Sequence, residues 1–414
     1  MKLVHKKLLA YKVRLYPNKE QREFINGQLE TCRICYNEML NKYNEDYKAF
    51  KEGLIDEKPN LNFKYGWIKE KYPWMKKYNS SPLDFTARNL QEAFIKYYDN
   101  FNPKDPSLGK PQFKKKYKLN SFKLKKVQLK NLELNSFEIS KLKNKIKFIN
   151  HRNFDISNTN SISIIKSKSD KYFAVFYLEQ DLFPKLDCEP NNKTIAIDLG
   201  VRKYFTWIDS EGNQGIIENP KAYKDEMKRI IFLDKVLKRK KNAHNKRYNL
   251  NHNDGHIEEI HKYSNRYQRV RIQRAKHYEH LANIRTNFLN NLTTKLVKEY
   301  NKIIIEDCRV TELIDKTTKE FKNKSRQARK NIHKAQYDVG WYNFRLMLEY
   351  KCKLNNRELI IADEFYRSTQ ECSNCGYINK ELEDVNIREW TCPECNTYHD
   401  RDINACENLM KRYN

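Results

Sequence analysis

Leu9, Tyr11, Val13 and Leu15 alternate with polar residues, the period-two pattern of a half-buried strand. Pro17 and Asn18 stop it. Asn18 followed three positions later by Gln21 has the form of a capping box, so a helix is expected next. Phe24, Ile25, Leu29, Cys32, Tyr36, Met39 and Leu40 give that helix one apolar face. From about 50 to 102 the pattern stays helical, with breaks at Pro59, Pro73 and Pro82 and dense aromatics, most of which read as core. Short β patterns follow at Phe122/Leu124, Ile146/Phe148 and Ile162/Ile164, then along Tyr172–Leu178. With the first strand they predict a small barrel, and 18–102 becomes a helical insertion between its first and second strands.

The second half has a different texture. After a linker, Pro184–Asn192, the run Thr194-Ile-Ala-Ile-Asp198-Leu-Gly200 reads as a buried strand ending in an acid. Tyr204–Ile208 is a second strand, and Glu211-Gly-Asn turns the chain into a third around Gly215–Ile217. A long basic helical region runs from about 220 to 300, interrupted near Asn251–Gly255. Lys302-Ile-Ile-Ile305 is another buried strand and is followed by Glu306-Asp307. A Lys/Arg-rich loop from Lys316 to Lys334, whose Arg326 and Arg329 are candidate nucleic-acid contacts, precedes a helix around Trp341–Leu354. Glu358–Ala362 is the last buried strand.

Composition changes this picture in one direction. Lys and Arg number 81 against 53 Asp and Glu, a net charge of +28, which in a folded chain favours a polyanionic partner, nucleic acid first. Lysine-rich composition also arises from genome bias, so the charge supports this partner without deciding it. The most basic segment, 101–150, has fourteen Lys against three acids; Lys114, Lys115 and Lys116 beside Phe113 and Tyr117 read as phosphate contacts. No run of eighteen apolar residues occurs and the N-terminus has no apolar signal core, so a cytoplasmic chain with reduced cysteines is expected.

Two clusters carry chemistry. Cys372-Ser-Asn-Cys375 and Cys392-Pro-Glu-Cys395, sixteen residues apart, have the spacing of a four-thiolate structural zinc site. Cys32-Arg-Ile-Cys35 has the same short spacing but lies within the first helix with no second pair nearby, and reads as packing. The second cluster is acidic. Asp198 and Glu306 end apolar strands, and Asp402 starts a C-terminal helix. If those strands are neighbours, three carboxylates meet, repel one another, and suit divalent cations such as Mg²⁺ that act on phosphodiesters. Singly, each acid has an ordinary alternative: a strand-end turn at Asp198, a helix cap at Glu306-Asp307, and an N-cap at Asp402, with Asp400 a competing ligand. Asp402 is preferred because it stands two residues before Asn404-Ala405. The order strand–acid, hairpin, strand–acid, late helical acid is that of an RNase H-like nuclease.

Ile197-Asp198-Leu-Gly-Val, Ile305-Glu306-Asp307, Ser368-Thr-Gln-Glu-Cys372-Ser-Asn-Cys375-Gly and His399-Asp-Arg-Asp402-Ile-Asn404-Ala resemble the split RuvC and zinc-ribbon motifs of the TnpB family. These are RNA-guided nucleases of bacterial insertion sequences, related to type V CRISPR effectors. Tyr11-Lys-Val-Arg-Leu-Tyr-Pro17, Cys32–Asn37 and Lys110–Lys116 extend the resemblance over nearly the whole chain. It implies Asp198, Glu306 and Asp402 as catalytic Mg²⁺ ligands. Cys308 and Cys406 stand where the family more often has Leu and Ala, and read as packing changes.

The resemblance also implies a multidomain protein combining α/β and α+β parts. Residues 1–17 and 103–190 would form a β-barrel wedge domain and 18–102 a helical recognition domain. Residues 191–365 and 399–414 would form a RuvC nuclease domain, and 366–398 a zinc-ribbon domain that binds target nucleic acid. A guide RNA would pair with one strand of double-stranded DNA while the protein reads a short flanking motif, as a monomer or a homodimer on one guide. A compact type V CRISPR effector is the alternative within the same class. A zinc-containing nucleic-acid-binding regulator that does not cut is the alternative outside it.

Overall fold

The computed structural model describes residues 7–99, 109–116, 119–180, 186, 188, 191–200, 203–220, 222–248, 263–306, 340–363, 366–384 and 386–414. Arg326, Arg329, Asp307 and Cys308 lie outside them, as does the expected interruption near 251–255. The chain divides into two compact units, Met1–Phe183 with Asp234–Lys276, and Pro184–Leu233 with His277–Asn414.

In the first unit β1 (Lys7–Leu15) runs into α1 (Lys19–Lys51) through the expected cap. The Asn18 side chain accepts from the Gln21 amide at 2.9 Å, and the Gln21 side chain accepts from the Asn18 amide at 3.0 Å. Short α2 (Gly66–Lys71) and longer α3 (Ser81–Asp99) complete the helical part. Phe24, Ile25, Leu40, Leu90 and Phe94 are buried in its core, while Trp74 and Tyr98 are exposed. Cys32 and Cys35 are both buried, and burial pushes the Cys32 thiol up to about 12, so this pair is packing. Asn37 fixes the Lys110–Lys116 segment: its carboxamide accepts from the Lys114 amide at 2.8 Å and donates to the Lys114 carbonyl at 3.1 Å. The Lys114 ammonium lies 4.9 Å from the centre of the Tyr36 ring, Lys115 is exposed and Lys116 is partly buried.

The expected barrel is two sheets instead. Strands β2 (Ser121–Lys125), β6 (Thr159–Lys166) and β7 (Tyr172–Gln180) join β1 in a four-stranded sheet of order β1-β7-β6-β2. Strands β3 (Leu129–Glu133), β4 (Ser136–Ile139) and β5 (Ile146–Lys147) form a separate three-stranded sheet. The bridge from Leu15 to Phe148 and the hydrogen bond from the Tyr16 amide to the Lys147 carbonyl tie the two together. The reason is visible in the core: Phe137, Phe148 and Phe154 all pack on Phe176, with ring centres 5.2–5.7 Å apart. Bulky rings between sheets favour face-to-face packing over a continuous ladder.

The second unit is built on a five-stranded sheet of order β10-β9-β8-β11-β12. Strands β8 (Thr194–Leu199), β11 (Lys302–Ile305) and β12 (Glu358–Ile361) are mutually parallel. β9 (Lys203–Asp209) and β10 (Gln214–Glu218) continue the sheet as an antiparallel hairpin. Helix α4 (Ala222–Arg247) precedes α5 (Asn265–Glu299). α5 and α6 (Trp341–Asn355) cover one face, on Ile195, Ile197, Ile303 and Ile305. The buried Lys351 of α6 joins them by donating to the Asn290 carbonyl and the Thr293 hydroxyl, both at 2.8 Å; burial holds its ammonium down to about 8. The other face, through Ala196 and Ile304, meets Leu409 of α7 (Arg401–Tyr413). Near-continuous apolar runs in β8 and β11 are what a parallel strand covered on both faces requires. Among the described residues no helix is long and apolar enough to cross a membrane.

Candidate active site

Strand periodicity decides where the acids point. Ile305 is registered against Ile197, so Glu306 follows beside Asp198 on the neighbouring strand. Both share parity with Ala196 and Ile304, and therefore face α7. α7 begins with Asp400 as its N-cap: that side chain accepts from the amides of Asp402 and Ile403 at 2.9 and 3.1 Å. Asp400 is thereby engaged with the backbone, and Asp402, in the first turn, is the carboxylate presented to the strand acids. This cap agrees with the preference for Asp402 drawn from the sequence.

Electrostatics register the convergence. Asp198 is buried, and its carboxyl is raised well above the ordinary range by burial first, then by the charges of Glu306 and Asp402. Glu306 is also raised, chiefly by burial and against the hydrogen bonds it receives from Ser368 and Asp198. Arg401 is the cation that lowers both. The donor set suits divalent cations in kind: hard carboxylate oxygens, partly desolvated, with Asp198 and Glu306 sharing a hydrogen bond.

Four further side chains, given no role by the sequence, hold this cluster. Ser368 donates its hydroxyl to Glu306 Oε1. Arg401 is buried and its Nη1 donates to the carbonyls of Asp384 and Ile387 at 2.8 and 3.4 Å. Arg388 donates from Nη1 to Asp402 Oδ1 at 3.1 Å, and Lys203 Nζ stands 3.8 Å from Asp402 Oδ2. Ser368, Arg388 and Arg401 all stand within or beside the cysteine segment, the one local signal that marks them.

That segment is a pair of matched turns. The amide of Gly376 donates to the Cys372 carbonyl and that of Asn396 to the Cys392 carbonyl, each at 2.9 Å. Gly376 and Asn396, each directly after the second cysteine of a pair, both adopt positive φ, 80° and 55°. The hairpin of β13 (Glu389–Thr391) and β14 (Tyr398–Asp400) carries the second turn. All four sulfurs lie within 4.8 Å of one another, with 3.7 Å between Cys372 and Cys395 and 3.6 Å between Cys375 and Cys392. Tetrahedral thiolates about 2.3 Å from one zinc are about 3.8 Å apart, so the cage fits that ion. The Thr397 hydroxyl first, then Asn374, hold the Cys395 thiol down to about 5. His399 Nε2 lies 3.1 Å from Cys372 Sγ, and its ring packs on Trp390. α7 grips the same segment: Asn408 donates to the carbonyls of Ser368 and Glu371, and Asn404 donates to Glu371 and accepts from the Ser373 amide. Cys406 of α7 is buried toward the sheet, with its Sγ 3.3 Å from the Thr206 carbonyl of β9.

Three family models match the chain: a helix-turn-helix domain over 3–52, a probable transposase over 179–317, and the Cas12f1-like TNB domain over 341–409. A relative in Streptomyces pristinaespiralis, bearing the name of an RNA-guided DNA endonuclease, is 24% identical across 97% of this chain and 88% of its own. InsQ of Escherichia coli (strain K12), named likewise, is 22% identical across 98% of this chain and 92% of its own. The TnpB-like protein L79 of Acanthamoeba polyphaga mimivirus is 26% identical over 55% of this chain and 39% of its own. The solved Cas12f1–sgRNA–target DNA complex has a TM-score of 0.47 at 12% identity, over 95% of this chain and 83% of that one. Matched by family models over 3–52, 179–317 and 341–409, and along nearly its whole length by two of these relatives, the chain belongs to the TnpB family.

Proposed function

We propose that this protein is an RNA-guided DNA endonuclease whose active centre is Asp198, Glu306 and Asp402. What supports the proposal is that Asp198 of β8 and Glu306 after β11 share a hydrogen bond and are both raised in pKa, with the charge of Asp402, in the first turn of α7, adding to each. Divalent ions, Mg²⁺ by their hard-oxygen preference, would be held by these three residues and would supply Lewis acidity and an activated water for phosphodiester hydrolysis. The chain's own side chains do the rest. Ser368 orients Glu306, Arg401 offsets the charge of the strand acids, and the α7 cap aims Asp402. Zn²⁺ held by Cys372, Cys375, Cys392 and Cys395 has a structural role, keeping the segment that carries Ser368 and Arg388 in place.

The partners proposed are a guide RNA and double-stranded target DNA, by analogy with the names of the full-length relatives. The domains read from the sequence, wedge, recognition, RuvC and zinc ribbon, are proposed with the same roles, and Lys114, Lys115 and Lys116 as phosphate contacts. The protein, copurified with its RNA, is expected to cut a plasmid carrying the matching sequence in the presence of Mg²⁺. Asp198→Ala should retain the RNA and leave the plasmid intact. Binding without cutting by the unaltered protein would replace this proposal with the regulator. The match to the Cas12f1-like TNB domain favours one second reading, a compact type V effector acting as a monomer or homodimer; sequencing the bound RNA separates the two.

A further inference from the structure

Two arginines reach the acid cluster, and they are held in opposite ways. Arg401 is buried and committed to two backbone carbonyls, so nothing arriving from solvent takes it without opening the structure around it. Arg388 keeps 46% of its side chain exposed and meets Asp402, itself 17% exposed, at 3.1 Å. Its carbonyl accepts from the Arg401 amide at 2.8 Å, which anchors its backbone beside the cluster while the guanidinium reaches Asp402 from the solvent side. A part-exposed ion pair of this kind is weak and readily exchanged. The guanidinium fork fits phosphate oxygens as well as it fits a carboxylate.

We propose that Arg388 is a phosphate-binding residue of the nuclease centre that exchanges partners. It holds Asp402 when no strand is present, and passes to the phosphodiester backbone of the DNA strand entering the site, which releases Asp402 to ligate a divalent ion. Lys203, 3.8 Å from Asp402, stays beside the released carboxylate and limits the cost of the exchange. Strand binding and metal binding then reinforce each other, each by the same factor. The proposal rests on the reading of the three acids as a metal centre.

The test uses the full protein with its copurified RNA, Mn²⁺ followed by electron paramagnetic resonance, and an uncleavable phosphorothioate oligonucleotide. Asp198→Ala defines the Mn²⁺ bound elsewhere. The oligonucleotide is expected to tighten Asp198-dependent Mn²⁺ binding by about fivefold or more. In Arg388→Gln, Mn²⁺ should bind more tightly without the oligonucleotide, the coupling should vanish, and the salt slope of oligonucleotide binding should fall by about one. Arg388→Lys should restore the slope. Wild-type coupling and slope in Arg388→Gln would overturn the proposal, and so would weaker Mn²⁺ binding in that variant, which marks a merely structural residue. If Asp198→Ala binds as much Mn²⁺ as the wild type, the metal-centre reading itself falls and takes this proposal with it.

Discussion

The thiol cage and the acid cluster lie in the same compact unit and are constructed on opposite plans. The thiols come from residues 372–395, on two copies of one turn, each closed by a carbonyl–amide bond and a residue of positive φ. The acids come from residues 198, 306 and 402, and are drawn to one face only because β8 and β11 are parallel neighbours in one register and α7 packs on the face they share. One centre is a property of a short peptide; the other is a property of the whole sheet. The bonds from Ser368 to Glu306 and from Arg388 to Asp402 let the local centre brace the distributed one. Damage should therefore propagate from cage to acids and not in reverse.

The largest effect expected is on cutting. Asp198→Ala, Glu306→Ala or Asp402→Ala should each lower the cleavage rate more than about 10²-fold, measured by single-turnover plasmid cleavage, with zinc content and RNA binding unchanged. Loss of zinc in any of the three would contradict the one-way dependence. Next comes the cage. Cys372→Ala should remove the metal, lower stability by at least about 3 kcal/mol, and reduce cleavage as well, because Ser368 loses its support; elemental analysis and a melting curve check the first two. Full cleavage by a zinc-free protein would break the link between the centres.

A smaller effect separates chemistry from stability. Asp198 has a raised carboxyl, so the folded state keeps its proton to higher pH than the unfolded chain does. Its contribution to stability is therefore favourable in acid and is lost as pH rises above the ordinary carboxylate range. Asp198→Asn should remove that dependence and stabilise the protein at neutral pH by about 1–2 kcal/mol, while remaining inactive; calorimetry across pH tests the sign. The smallest effect probes the matched turns. Asn396→Gly should change stability by only a few tenths of a kcal/mol, and Asn396→Ala should cost about 1–2 kcal/mol, since a left-handed backbone disfavours Ala. A Cβ added at Gly376 meets nothing within 4 Å, so its positive φ alone sets the cost, and Gly376→Asn should cost less than Gly376→Ala because Asn enters the left-handed region more readily.

These plans also explain what could be read from the chain alone. The capping box at Asn18 and Gln21, the cysteine spacing and the strand-end acids are local patterns, and each is found where the pattern places it. The barrel is not, because alternation at Leu9–Leu15 or Ile162/Ile164 marks a strand without naming its partner on either edge. Strands β3 and β4 were invisible for a related reason: Leu129–Glu133 and Ser136–Ile139 are short and mostly polar. The roles of Ser368, Arg388 and Arg401 depend on which carboxylate or carbonyl lies across a gap, and no spacing in the sequence encodes that. Asp402 is preferred over Asp400 on sequence position alone, and the helix start adds a physical reason, since Asp400 uses its carboxylate for capping.

The wide separation of the three acids along the chain bears on how such a protein ages in a genome. Mobile DNA leaves many eroded copies behind it. A fragment that keeps only the region around residues 372–395 retains every ligand of its cage, yet any deletion reaching β8, β11 or α7 costs it a carboxylate. Truncation of this sequence thus removes part of the acid cluster before it touches the cage.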